Sequence, residues 1–486
     1  MSSKNSLFFL FFIFIALSVN LFAQSDYELW KQKQEEQYRQ YKDAQDKAFV
    51  EFLEKEWKSF DAFKGIKTDE IPKPVDVPKT EITVPKEFPD SNIVKEIKVP
   101  KLEFKEEEIQ EKESQAYIEP EEEKGIEVDF FGLNLNVNYS NNLKDALKEP
   151  LNEKAIADFW YKISNSNYEP FLKQAQEYKN QMNLNDWGYC LYLNKVGKKL
   201  TDNSKNLKRL FIWFMLIKSG YQVKLGFVEN AVFLLLPSKN VLFGVTYLIL
   251  DEQKFYVVNF EQKEKLPLAI QTYEGNYPDA DDLIDLRITK APLISKEIVE
   301  RELKFKYKGE TYILTVQYNL STAKYFENYP LTDLDVYFNA PLTNEANFSV
   351  ISQLKDILEE KPEAEAVNIL LRFVQTAFKY KTDDEQFGRE KSFFSEETLF
   401  YPFCDCEDRS VFFSYLVRNL LGLNVIGLDY PGHIATAVKF NTDLEGDSVT
   451  FNNEKYLVCD PTYVNANIGL CMPDFKDVEP KIIELN

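Results

Sequence analysis

The stretch that decides the fold is Tyr401-Pro402-Phe403-Cys404-Asp405-Cys406-Glu407-Asp408-Arg409-Ser410, which runs directly into an apolar segment. From Val411 onward, Phe412, Tyr415, Leu416, Val417, Leu420 and Leu421 recur at helical spacing until Gly422, so a buried helix is expected to begin near Cys406. A cysteine in the first helical turn lies beside free backbone N–H groups and the positive end of the dipole, which favours the thiolate and lowers its pKa. Pro431-Gly432-His433-Ile434-Ala435 follows, with His433 27 residues after Cys406, and it is the only histidine in the chain. A further 27 residues on, Tyr456-Leu457-Val458-Cys459 reads as a short apolar strand ending at Asp460-Pro461-Thr462. Cysteine, histidine and aspartate in this order supply a nucleophile, a base and an orienting carboxylate.

These three contexts resemble the motifs of the transglutaminase-like superfamily, the circularly permuted relatives of papain-type cysteine proteases. Cys406-Glu407-Asp408-Arg409 resembles the cysteine followed by an acidic residue at the head of the core helix. His433-Ile434-Ala435-Thr436-Ala437-Val438 resembles the histidine that opens a strand, and Asp460-Pro461-Thr462 the aspartate at a strand end. The resemblance covers roughly the last 140 residues, the usual size of one domain. It implies acyl transfer through a thioester, with Cys406 attacking an amide carbonyl, His433 moving the proton and Asp460 holding the imidazole. Water as acceptor gives a peptidase or amidase acting on a protein or peptide, the outcome that secreted bacterial-type members suggest. An amine acceptor gives a cross-linking enzyme. Neither needs a metal or organic cofactor. A non-catalytic envelope scaffold on the same fold is the competing class. One departure is Cys404, where a small residue often stands two before the nucleophile. It leaves the nucleophile's identity open, and Cys406 is preferred because it adjoins the acidic pair and the helix.

Other readings of the same residues stay open. The backbone N–H of Cys406 is one candidate oxyanion donor; Gln375, Gln386 and Tyr401 are candidates for the second. Cys404, Cys406, His433 and Cys459 make an alternative zinc set, although Cys-x-Cys is tight for it and Asp460 would have no role. Cys404 can instead pair with Cys459 or Cys471. Five cysteines is an odd number, so a monomer keeps at least one free thiol. Glu407 and Asp408 read as helix-start charges, or as partners of Arg409.

At the other end, Lys4 precedes an apolar core from Leu7 to Leu17, and Asn20-Leu21-Phe22-Ala23 precedes Gln24. This is the pattern of a secretory signal peptide (1–23) cleaved after Ala23, so an extracytoplasmic, periplasmic or secreted protein is expected. An uncleaved anchor is the alternative, although the apolar run is short for a membrane span. Residues 24–64 carry Phe49, Phe52, Leu53, Trp57, Phe60 and Phe63 at helix-like spacing, which predicts one or two helices packed on the body. Residues 65–125 are rich in Pro, Glu and Lys, which predicts an extended spacer, solvated and without a partner. The helix and spacer together suit association with a cell envelope. The formal net charge of −21 argues against a nucleic-acid partner.

Folding resumes near Ile126, with a strand pair around Gly132 and helices to Leu200. Leu210–Val223 then has the shape of Val411–Val425, a buried helix, a Gly and a strand. Aligning Gly220 with Gly422 gives an offset of 202, which puts Ser204 at Cys406 and Ala231 at His433, and Asn259 near Asp460. Residues 126–284 are therefore expected to form a degenerate transglutaminase-like domain without the triad. In 285–345 the alternation of Leu303, Phe305 and Tyr307, then Tyr312, Leu314, Val316 and Tyr318 across Lys308-Gly309 predicts a hairpin, and Val336, Phe338 and Ala340 extend it into a small antiparallel β-domain. The expected class is α+β throughout, with the catalytic domain at 346–486.

Overall fold

Two buried helices, each laid on an antiparallel sheet, frame the molecule. The computed structural model describes residues 4–61, 79–81, 93–95, 97, 99, 124–139, 152–260 and 269–485, and the fold is mixed α+β. The first of these helices, Lys205–Lys218, is capped by the Ser204 side chain and buries every residue from Lys208 to Ile217. The second, Cys406–Leu421, ends where Gly422 takes a left-handed φ of 65°, a conformation that glycine adopts without a side-chain clash.

Each helix is followed by five strands in the same arrangement. After Lys205–Lys218 come Lys224–Val228, Ala231–Pro237, Tyr247–Leu250, Gln253–Val258 and Ala269–Tyr273, placed in the sheet as fifth, first, second, fourth, third. After Cys406–Leu421 come Val425–Tyr430, His433–Val438, Ser448–Phe451, Glu454–Cys459 and Lys481–Ile483, in that same order. Ala231 and His433 each open the second strand, and Asn259 and Asp460 each follow the fourth. The two units share a topology while differing at those positions.

The N-terminal helix runs from Lys4 to Leu53 and packs its last turns on the first unit. Phe49 lies 4.7 Å from the Trp160 ring and 5.2 Å from that of Tyr277. Buried Asp46 accepts from Trp160 Nε1 (3.1 Å), Lys218 Nζ (2.5 Å) and Tyr277 Oη (3.0 Å). The helix predicted through Phe63 stops earlier: Trp57–Asp61 is a strand paired with Ala269–Tyr273. The open edge of that sheet supplies backbone partners that a helix would leave unmade. Among the described residues no helix is long and apolar enough to cross a membrane.

Most of 65–125 lies outside the described residues. The described pieces between 79 and 99 sit against the second unit, and Lys124 and Gly125 open a hairpin strand, which corrects the solvated-spacer reading for them. Thr80 N donates to Val464 O at 3.3 Å, Val94 N to Lys361 O at 3.0 Å, and Ile97 is buried in the second unit's core.

The hairpins form around the turns that the sequence marks. Lys124–Phe130 pairs with Leu133–Tyr139 across Phe131-Gly132, and Ile298–Tyr307 with Glu310–Asn319 across Lys308-Gly309. The inner face of the second hairpin, Leu303, Phe305, Tyr307, Leu314 and Val316, joins the core built on helices Asn344–Leu358 and Glu363–Ala377. The expected third strand is not formed: Leu334–Phe338 is a short helix with Val336, Tyr337 and Phe338 all buried. Because Tyr337 is apolar too, the run Val336-Tyr337-Phe338 has no period of two, and a continuous apolar run does not distinguish strand from helix.

Candidate active site

Cys406 is the first residue of its helix, with Asp405 at the cap position, Asp405 N donating to Asp408 Oδ2 at 3.1 Å. The apolar face behind it fixes the helix on the sheet, and Ser410 Oγ, one turn along, donates to Ile434 O at 3.0 Å. This ties the helix head to the strand that His433 opens. His433 is buried, its ring stacked on Phe475 with centroids 5.1 Å apart and planes at 13°. Its Nε2 lies 2.8 Å from Asp460 Oδ2. The other carboxylate oxygen of Asp460 accepts from Thr462 N (2.8 Å) and Tyr463 N (3.1 Å), which fixes the group's orientation. With Nε2–H donating to a carboxylate, Nδ1 is the basic nitrogen of the ring.

Cys406 and His433 line one cleft of about 370 Å³. Phe243 of the first unit, residues 331–335 and the last strand, Lys481–Ile483, also line it. Among the described residues the lining carries Asp333, Asp335, Glu390, Glu407, Asp429 and Glu484 against one cation, Lys481, so that lining is strongly acidic. The Cys406 thiol and the His433 ring share this cleft without a hydrogen bond between them.

The thiol itself departs from the expectation for a helix start. Cys406 Sγ donates to Glu407 Oε2 at 3.2 Å, and burial, followed by the charges of Glu407 and Asp405, pushes its pKa well above the ordinary thiol value. The dipole favours a thiolate at this position, but full desolvation and two adjacent carboxylates outweigh it. The same neighbourhood holds further acids. Burial and the Glu407 charge push Asp383 up to about 8, and Asp405 and Asp408 also stand well above the usual carboxylate range. Like charges this close, out of water, hold protons.

One oxygen each of Asp383, Asp405 and Asp408, and likewise of Asp383, Glu390 and Glu407, fall within 4.8 Å of one another, the spacing at which carboxylates can share a divalent cation. Among the described residues no other donors gather in this way. The alternative set of Cys404, Cys406, His433 and Cys459 is not assembled: Cys404 Sγ turns to Lys379 O (3.9 Å) and Cys459 Sγ to Leu457 O (3.5 Å). All five cysteines are free and buried.

None of the three side chains considered for a second oxyanion donor lines the cleft. Tyr401 Oη donates to Glu327 Oε1 at 2.8 Å. Gln375 is buried and works elsewhere. Its Nε2 donates to Asp460 O (3.1 Å), Tyr463 O (3.0 Å) and Ala466 O (3.0 Å), and its Oε1 accepts from Asn465 N (3.2 Å) and Arg372 Nε (3.2 Å). It clamps the loop that carries Asp460. Sequence reasoning missed this role, and the stacking of Phe475 on His433, because nothing local links either residue to the triad. Compared with family models, with curated proteins and with solved structures, the chain matches none.

Proposed function

We propose that this chain is a cysteine-dependent acyl-transfer enzyme of transglutaminase-like architecture, working outside the cytoplasm on a protein or peptide. The observation that carries the reading is the convergence of Cys406 and His433 on one cleft, with His433 Nε2 held by Asp460 at 2.8 Å. His433 Nδ1 takes the thiol proton, and the sulfur adds to an amide carbonyl carbon. The C–N bond breaks, the amine leaves with the proton from the imidazole, and a thioester remains. Water, deprotonated by His433, then releases the acid and restores the thiol. Hydrolysis is the preferred outcome; an amine in place of water gives a cross-link. The apolar run from Leu7 to Leu17, ahead of the expected cleavage position after Ala23, is what supports export, and envelope association would fall to the N-terminal helix.

One observation favours the scaffold reading instead. The thiol is bonded to Glu407 and held protonated, which is a resting arrangement and not a primed one. An activated ester separates the two. Incubation of the purified chain with p-nitrophenyl acetate is expected to add one acetyl group by intact mass, removed by neutral hydroxylamine. Cys406→Ala abolishes it and His433→Ala slows it by more than tenfold. Equal, slow acetylation of wild type and Cys406→Ala would leave the scaffold.

A further inference from the structure

Beside the nucleophile, three aspartates from two separate segments meet out of water. Asp405 and Asp408 stand on either side of Cys406 at the head of helix Cys406–Leu421, and Asp383 opens the short helix Asp383–Phe387. All three are at most 2% exposed, and one oxygen of each lies within 4.8 Å of the other two. We propose that Asp383, Asp405 and Asp408 hold a hard divalent cation, calcium or magnesium, which braces residues 383–391 against the helix head whether or not Cys406 carries out acyl transfer.

Asp405 is the observation that takes the inference beyond a cluster of acids. Its side chain is fully buried, yet neither carboxylate oxygen has a hydrogen-bond partner among the described residues. A buried carboxylate without a donor is costly, and a cation would satisfy both its charge and its lone pairs. The other two are oriented by backbone donors. Asp408 accepts from Phe393 N (2.8 Å) and Asp405 N (3.1 Å), and Asp383 Oδ2 accepts from Lys391 N (2.6 Å). A carboxylate offers more lone pairs than these bonds use, so capacity for a metal remains on each. Protein cations do not balance the group. Lys391 pairs its ammonium with Glu397, and Arg409, which has further contacts of its own, brings one charge against three. The donors are all oxygen, which selects a hard cation over zinc or copper, with water completing the shell. Asp383 also forms the second set with Glu390 and Glu407, and both of those line the cleft, so the cluster continues to the surface from which an ion would enter.

The test is calorimetric titration of the chelator-treated full chain with calcium chloride and, separately, magnesium chloride, near pH 8 at physiological ionic strength. Saturable binding of one equivalent of at least one of the two ions is expected, with a melting temperature that rises with its concentration. An ion displaces protons that the buried carboxylates otherwise hold, so the apparent heat should differ between buffers of different ionisation enthalpy. Asp405→Asn and Asp383→Asn should each weaken binding by at least about tenfold. Asp443→Asn, at an exposed carboxylate, and Cys406→Ala should bind as wild type does. The proposal is overturned by no saturable heat with either ion. It is also overturned by unchanged affinity in whichever of Asp405→Asn and Asp383→Asn folds, as checked by circular dichroism, because binding would then belong to the surface acids of a chain with a formal net charge of −21.

Discussion

Replacing Gln375 by Leu keeps the volume of the side chain and removes its amide. The structure then loses the donors to Asp460 O, Tyr463 O and Ala466 O and the acceptor for Asn465 N and Arg372 Nε, all at 3.0–3.2 Å. Each such bond contributes ~1 kcal/mol net, and each carbonyl left buried without a partner costs ~1–3 kcal/mol. Partial rehydration of the loop will recover some of this. A loss of about 3–5 kcal/mol is therefore expected, read as a lower urea midpoint at unchanged slope. At about 2–4 °C per kcal/mol that corresponds to a melting-temperature fall of roughly 6–20 °C. Because the clamped loop carries Asp460, acylation of Cys406 should slow in the same variant even at temperatures where it remains folded. A loss under about 1 kcal/mol, with acylation at the wild-type rate, would refute the reasoning: the loop would then be fixed by Thr462 N and Tyr463 N alone.

Four further outcomes are expected. Asp460→Asn keeps an acceptor for Thr462 N and Tyr463 N but loses the charge facing His433 Nε2, so acylation should fall by about 100-fold or more while the melting temperature moves little. Glu407→Gln removes the carboxylate 3.2 Å from Cys406 Sγ, and iodoacetamide labelling near pH 8 should speed up about tenfold; no change would show that burial alone holds the thiol protonated. Burial pushes Glu396 up from 4.5 to about 7, so the folded chain binds this proton more tightly than the unfolded chain: the contribution is full below about 4.5 and lost as pH rises to about 7, a loss of about 3 kcal/mol that Glu396→Gln should remove from the difference between urea melts at pH 4.5 and pH 7.5. Gly446→Ala would put a Cβ 2.6 Å from Gly469 Cα at a φ of 152°, and should cost about 1–3 kcal/mol by thermal melt.

Those variants probe contacts of very different sequence range, and range is what separates the legible from the illegible here. Helix Cys406–Leu421, its stop at Gly422 and the hairpins at Phe131-Gly132 and Lys308-Gly309 were readable, because periodicity and turn chemistry act within a dozen residues. The order Cys406, His433, Asp460 was readable because each stands at the end of an element, and the geometry brings His433 and Asp460 into direct contact and Cys406 into their cleft. The thiol's protonation was not. It depends first on burial, which is set by everything packed against the helix head, and then on the carboxylates of Glu407 and Asp405. The strand at Trp57–Asp61 was equally hidden, since its partner Ala269–Tyr273 lies more than 200 residues on. A local pattern places a nucleophile; whether it is armed is a property of everything packed around it. For Cys406 that makes the Glu407→Gln labelling rate more informative about function than any further inspection of the motif.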